Sequence, residues 1–137
     1  MDTQKARSEF MLLFRGKKWD EGVSLEECQR RIERVMAWLD GLKATGKVKG
    51  GQPLSTDNRI VSAKKGKVVA DGPFPESKEA IGGYLVVLVN DIEEAVAIAT
   101  SNPTVEWGIT IEVRPVVDEC PVFESVQKRL LSEAAVA

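Results

Sequence analysis

An α+β fold, with two strand-helix-strand units wrapped around one antiparallel sheet in βαββαβ order, is predicted by three observations. Two helix starts are marked by the motifs Ser24-Leu25-Glu26-Glu27 and Asp91-Ile92-Glu93-Glu94. Each follows a short apolar run, residues 10–14 and 84–89, and each precedes a further extended segment. A chain of 137 residues with 43% hydrophobic side chains is one domain, long enough to bury a core.

In the first run Phe10, Leu12 and Phe14 point one way and Met11 and Leu13 the other, as in a strand buried on both faces; it ends at Arg15-Gly16. At Ser24 the hydroxyl can accept the Glu27 amide while the Glu27 carboxylate reaches back. Leu25, Cys28, Ile32, Val35, Met36, Leu39 and Leu42 then recur at three- and four-residue spacing, an apolar helical stripe that stops at Gly46. Residues 47–54 read as a strand interrupted by Gly50-Gly51 and Pro53, and residues 58–63 and 67–70 as hairpin arms around Lys65-Gly66.

Residues 84–89 are apolar throughout, as a central strand covered on both sides requires. The second helix runs from Asp91 through Ile98 and is closed by Ser101-Asn102-Pro103. Val105, Trp107, Ile109, Ile111 and Val113 alternate with Glu106, Gly108, Thr110, Glu112 and Arg114, predicting one further strand. From Pro121 onward Phe123, Val126 and Leu130 fall on one side of a third helix, with Glu124 and Lys128 paired.

This is a ferredoxin-like βαββαβ sheet with an inserted hairpin and an extra C-terminal helix. Two helices and the tail can cover one face, yet residues 10–14 and 84–89 are apolar on both. Bare, the second face would be a larger apolar patch than soluble monomers tolerate. A second copy of the sheet is the economical cover, which predicts a symmetric homodimer with a partly polar space between the sheets.

The net charge of −2, with acids and bases interspersed, argues against a nucleic-acid partner, and Lys64, Lys65 and Lys67 suit an exposed hairpin tip. No segment has the apolar length to span a bilayer and residues 1–9 are not signal-like, so a soluble cytoplasmic protein is expected. Cys28 and Cys120 lie far apart and suggest no disulfide framework and no metal site. Histidine is absent from the chain, which excludes triads built on an imidazole base and His-held metals. Any chemistry falls to carboxylates, Lys, Tyr, Arg or a cofactor.

The densest cluster of special residues is Asp71-Gly72-Pro73-Phe74-Pro75-Glu76-Ser77-Lys78-Glu79, followed by Gly82-Gly83-Tyr84. It joins a stiff turn, an aromatic and several charges directly ahead of the most apolar strand. This run resembles the signature of the DGPF branch of the YCII-related proteins. The strand ending Ile111-Glu112-Val113-Arg114-Pro115-Val116 resembles that family's closing strand, and Met11-Leu12-Leu13 its opening one. The matches bracket residues 9–117 and leave the tail outside. The resemblance implies a dimeric α+β barrel. It also implies association of some members with extracytoplasmic-function sigma factors, and a suggested enzymatic role using an Asp and a His. Asp71 matches that Asp; the His has no counterpart.

Asp71 suits a general base at a sheet edge or, alternatively, an Asx turn that fixes its loop. Phe74 suits a lid or core anchor. Glu76, Lys78 and Glu79 are solvated charges unless the loop folds over the sheet mouth. There Glu76 serves as acid or base, and Lys78 pairs with Asp71 or holds an anion. Tyr84 opens an otherwise aliphatic strand, and its hydroxyl, if buried, needs a structural hydrogen bond or a ligand contact. Thr110, Glu112 and Arg114 share one face, where Arg114 either pairs with Glu112 or anchors a carboxylate or phosphate. The expectation is a homodimer binding a small, anionic organic molecule, with cofactor-free acid-base catalysis by Asp71, Glu76 or Tyr84. Phe74, Lys78, Glu79, Glu112 and Arg114 contact the ligand. A non-enzymatic sensor or sigma-factor partner is the alternative.

Overall fold

A computed structural model describes residues 7–16, 18–74 and 80–136. The elements follow as β1 (Ser8–Arg15), α1 (Leu25–Ala44), β2 (Val48–Pro53), β3 (Ile60–Lys64), β4 (Lys67–Asp71), β5 (Ile81–Val89), α2 (Ile92–Thr100), a 3-10 turn (Pro103–Trp107), β6 (Thr110–Pro115) and α3 (Pro121–Val136). Four strands form one sheet in the order β2-β5-β1-β6, every neighbouring pair antiparallel. The fold is α+β with ferredoxin-like topology; β3 and β4 form a separate two-stranded hairpin.

Register assigns the faces. Phe10 lies opposite Val87 and Pro115, and Leu12 opposite Leu85 and Val113. Phe10, Leu12, Leu85, Val87 and Val89 are buried beneath Ala95, Ile98 and Ala99 of α2, and Trp38, Leu39 and Leu42 of α1 pack on the same cluster. The intervening residues Met11, Leu13, Tyr84, Val86 and Leu88 point to the other face and are only partly buried. Ion pairs flank this open face: Lys49 with Glu9 on one side, Arg15 with Glu112 on the other.

Both helix starts are capped as expected. The Ser24 hydroxyl accepts the Glu27 amide at 3.1 Å and Asp91 accepts the Glu94 amide at 2.9 Å. The reciprocal halves differ. Glu94 accepts the Asn90 amide at 3.0 Å and holds Lys47 at 2.9 Å. The Glu27 carboxylate instead pairs with Arg30 and Arg31, at 3.0 and 3.3 Å. The Lys47 contact and then the Asn90 amide hold the Glu94 carboxyl below its ordinary 4.5, and the two arginines lower Glu27 in the same sense. A carboxyl depressed by folding stabilises the folded chain above its unfolded pKa, and that contribution is lost as pH falls through the depressed value. Stability in urea is therefore expected to decline below about pH 4.5, and Glu94→Gln should flatten that decline. An acid limb unchanged by the substitution would contradict the assignment.

Two expectations are corrected. Val105 and Trp107 do not belong to a strand; they sit in the 3-10 turn, and β6 begins at Thr110. Asn102 caps that turn by accepting from the Thr104 amide and hydroxyl at 2.8 and 2.6 Å, Pro103 occupies its first position, and Gly108 ends it at φ 96°. Local capping outweighs the alternation. The tail helix, moreover, does not help cover the sheet: every described side chain of α3 is exposed. Its internal Glu124–Lys128 pair is present at 3.0 Å.

The loop after β1 is fastened to α1 and the 3-10 turn by an aromatic cluster. Trp19 and Trp107 lie 5.4 Å apart, the Arg31 guanidinium stacks 4.8 Å from the Trp107 ring, and Arg31 donates to the Trp19 carbonyl at 2.6 Å. Arg34 joins Glu106 at 2.9 Å, and Trp38 donates to Ser101 at 2.8 Å. The Arg31–Trp107, Arg34–Glu106 and Trp38–Ser101 contacts couple α1 to the segment that follows α2.

Candidate functional site

A cleft of about 1510 Å³ wraps around the edge strand β2 between α1, the end of β1 and the start of the β3–β4 hairpin. It reaches both sheet faces. Phe14, Val48 and Leu85 line it from the helix-covered side, Arg15, Gln52 and Tyr84 from the open side. Trp19 and Trp38 add two more aromatic walls. At its back Gly51 comes so close to β5 that a Cβ there would stand 2.4 Å from the Tyr84 carbonyl oxygen. Any side chain at 51 would push the edge strand away from Tyr84.

The lining is electropositive although the chain as a whole carries −2. Arg15, Lys18, Lys43 and Lys49 face only Glu21 and Asp57 among the lining residues. Low-dielectric walls concentrate such a field. Arg15 is the cation best held in place. Its Nη2 donates to the Glu112 carboxylate at 2.8 Å, and the other Glu112 oxygen meets Arg114 at 3.5 Å. One carboxylate thus serves two guanidiniums and leaves one positive charge uncompensated. The Arg15 Nε is buried with no hydrogen-bond partner, the only such side-chain atom among the described residues. A buried donor left unpaired costs about 1–3 kcal/mol, so an acceptor arriving there gains more than one on an exposed guanidinium.

Of the residues singled out from sequence, Tyr84 lines the cleft directly, and Glu112 and Arg114 flank it through Arg15. Asp71 does not line it. It ends β4 opposite Ile60, and its carboxylate accepts from Lys64 at 2.6 Å. An Asx turn is closed to it because the residue two on, Pro73, has no N–H to donate, and the next amide, that of Phe74, goes to the Asn58 side chain at 2.6 Å, while Asn58 donates back to the Phe74 carbonyl at 3.2 Å. Gly72, at φ 130°, lets the chain pass, since a Cβ there would lie 2.7 Å from the Asn58 carbonyl oxygen. Asn58 itself lines the cleft, so the Asp71–Phe74 turn is pinned to its rim, where Phe74 is 42% exposed. Glu76, Lys78 and Glu79 lie outside the described residues.

Sequence reasoning missed Arg15, Trp19, Trp38 and Asn58. Arg15 had one available signal: once β1 pairs with β6, Met11, Leu13 and Arg15 share a face with Thr110, Glu112 and Arg114.

No group of three or more Cys, Asp or Glu side chains among the described residues is arranged to hold a metal ion, and no described helix is long and apolar enough to cross a membrane. Residues 9–119 match the model of the YCII-related domain. Among curated proteins nothing matches. Among solved structures the chain is similar to the 5-chloro-2-hydroxyhydroquinone dehydrochlorinase of Burkholderia phenoliruptrix AC1100 in complex with 2,5-dihydroxybenzoquinone. The identity is 18% over 81% of this chain and 95% of that chain, with a TM-score of 0.47.

Proposed function

The chain belongs to the YCII-related family, and within that family we propose that it binds a small, flat organic anion in the cleft around β2, with Arg15 as the anchoring residue. The carrying observation is the buried, unpartnered Arg15 Nε in a positively charged, aromatic-walled cleft. Nε and Nη2 lie along one edge of the guanidinium, the edge that receives a carboxylate in a two-point contact. Glu112 occupies half of it and a ligand oxygen takes the rest. Phe14, Trp19, Trp38 and Tyr84 offer ring faces or edges for the body of the ligand.

Two copies meet through their open sheet faces in this reading, which buries Met11, Leu13, Val86 and Leu88 and closes the solvent side of the Arg15–Glu112–Arg114 cluster. The cleft exceeds the roughly 300–1,000 Å³ usual for small-ligand sites, consistent with a partner narrowing it. Acid-base work falls first to Tyr84, the one of the three proposed proton-transfer residues that lines the cleft among the described residues. Asp71, on the turn held at the rim by Asn58, is the second candidate for proton transfer.

Benzoate and its neutral counterpart benzamide test the reading by titration calorimetry. Benzoate is expected to bind at least about tenfold more tightly, a difference of about 1.4 kcal/mol, and Arg15→Gln should erase the preference. Equal affinities, or a preference that survives Arg15→Gln, would contradict it.

A further inference from the structure

We propose that the helix-covered arm of the cleft holds a second subsite, in which the Asn102 side-chain Nδ2 donates to the carbonyl oxygen of an uncharged, flat aromatic compound. Asn102 and Thr104 are the buried polar side chains among the described residues, 4% and 7% exposed, and both line the cleft. Buried polar groups are as a rule hydrogen-bonded, so each such group of Asn102 has to be accounted for.

All but one are used inside the chain. The Asn102 amide donates to the Ala99 carbonyl at 3.1 Å, and its own carbonyl accepts the Val105 amide at 3.3 Å. Oδ1 accepts from the Thr104 amide and hydroxyl at 2.8 and 2.6 Å. A backbone amide can only donate, so these contacts also fix which side-chain atom is oxygen and which is nitrogen. Nδ2 is left over, and it donates to no group among the described residues. Capping the 3-10 turn does not require it, since the oxygen of Asp, Ser or Thr caps as well.

Nor is Nδ2 sealed in. Arg15 Nε is the only fully buried side-chain atom without a partner among the described residues, and Asn102 borders the cleft, so the surface that its nitrogen keeps is turned there. The surroundings suit a ring. Trp38 of α1 donates to the neighbouring Ser101 at 2.8 Å, which seats its indole beside Asn102, and Trp38 and Phe14 both line the cleft.

The ligand class follows from the donor. In apolar surroundings a neutral amide satisfies a carbonyl, whereas it does not offset the desolvation of an anion. Arg15 serves the open side of the sheet and Asn102 the helix-covered side, so the subsite does not depend on the anion anchor. A water reaching Nδ2 from the cleft is replaced without loss by a ligand oxygen and at a loss by a methylene.

Acetophenone and α-methylstyrene, which carries CH2 in place of the carbonyl oxygen, test the subsite by NMR titration of ¹⁵N-labelled full-length protein. Acetophenone is expected to move the Asn102 side-chain NH2 signals, assigned by their disappearance in Asn102→Asp, and to bind at least about fivefold more tightly than α-methylstyrene. Asn102→Asp keeps the capping oxygen and loses the donor, and it should abolish the preference. Asn102→Ser, whose hydroxyl also caps, should do the same without a buried carboxylate. Neither compound carries a charge, so the outcome is separate from that of the benzoate titration. No binding of acetophenone, equal binding of the two compounds, or a preference that survives both substitutions would overturn the inference. So would movement of other side-chain amide signals while those of Asn102 stay in place.

Discussion

Leu12→Ala is expected to remove about 2–5 kcal/mol of stability, a large share of the roughly 5–15 kcal/mol that holds a domain of this size together. Leu12 is fully buried at the centre of the sheet, opposite Leu85 on one side and Val113 on the other. The truncated side chain leaves a cavity that β1, hydrogen-bonded on both edges, cannot collapse into. Urea unfolding should show a lower midpoint with an unchanged slope. Leu13→Ala, one residue on but facing the other way, is the control and should cost less in a single chain. A loss below about 1 kcal/mol for Leu12→Ala would mean that the helix-covered face is not the core.

Val86→Arg is expected to turn a two-chain species into single chains, read as mass by light scattering. Val86 sits on the open face of the central strand β5, opposite Met11 and flanked by Tyr84 and Leu88. Its side chain is partly exposed within one chain, so an arginine there can reach water with little disturbance to the fold. Between two facing sheets the same charge would be stranded near a second copy of itself, several kcal/mol uphill. Retention of the two-chain mass in the variant, or a single-chain mass in the parent protein, would contradict face-to-face pairing. The variant should keep its cooperative unfolding, which separates loss of pairing from loss of structure.

Local chemistry was legible in the sequence wherever a few adjacent residues decide the backbone. Ser24 and Asp91 announced the two helices that pack on the sheet through their caps, and Lys65-Gly66 announced the hairpin tip, because neither depends on distant partners. Residues 105–109 misled for the same reason in reverse: Asn102-Pro103 reads as a helix stop, but it also starts a new turn, and its cap outweighed a period-two pattern. The apolar stripe of α1 was visible, yet its division into residues that pack on the sheet and residues that stay exposed depends on how far the helix leans on it.

Much of the candidate site was not legible. Glu112, Arg114 and Tyr84 could be placed on one sheet face from strand parity, but Arg15 meets Glu112 across 97 residues of sequence and only through the β1–β6 register. Asp71 looked poised for chemistry because it follows a strand and precedes a stiff turn. Its carboxylate is instead held by Lys64 on the other arm of its own hairpin; Lys64 stands opposite Lys67 and Asp71 opposite Ile60, so the long lysine side chain makes a contact along the hairpin that strand pairing alone does not predict.

The most direct measurement is the Arg15 Nε–H resonance in ¹⁵N-labelled protein, assigned by its disappearance in Arg15→Lys and followed as benzoate is added. Occupation of the cleft predicts that this one signal moves furthest among the arginine Nε–H groups, becomes protected from exchange with water, and saturates with the calorimetric binding curve. Benzoate binding that leaves the Arg15 signal in place while other arginines respond would contradict the account.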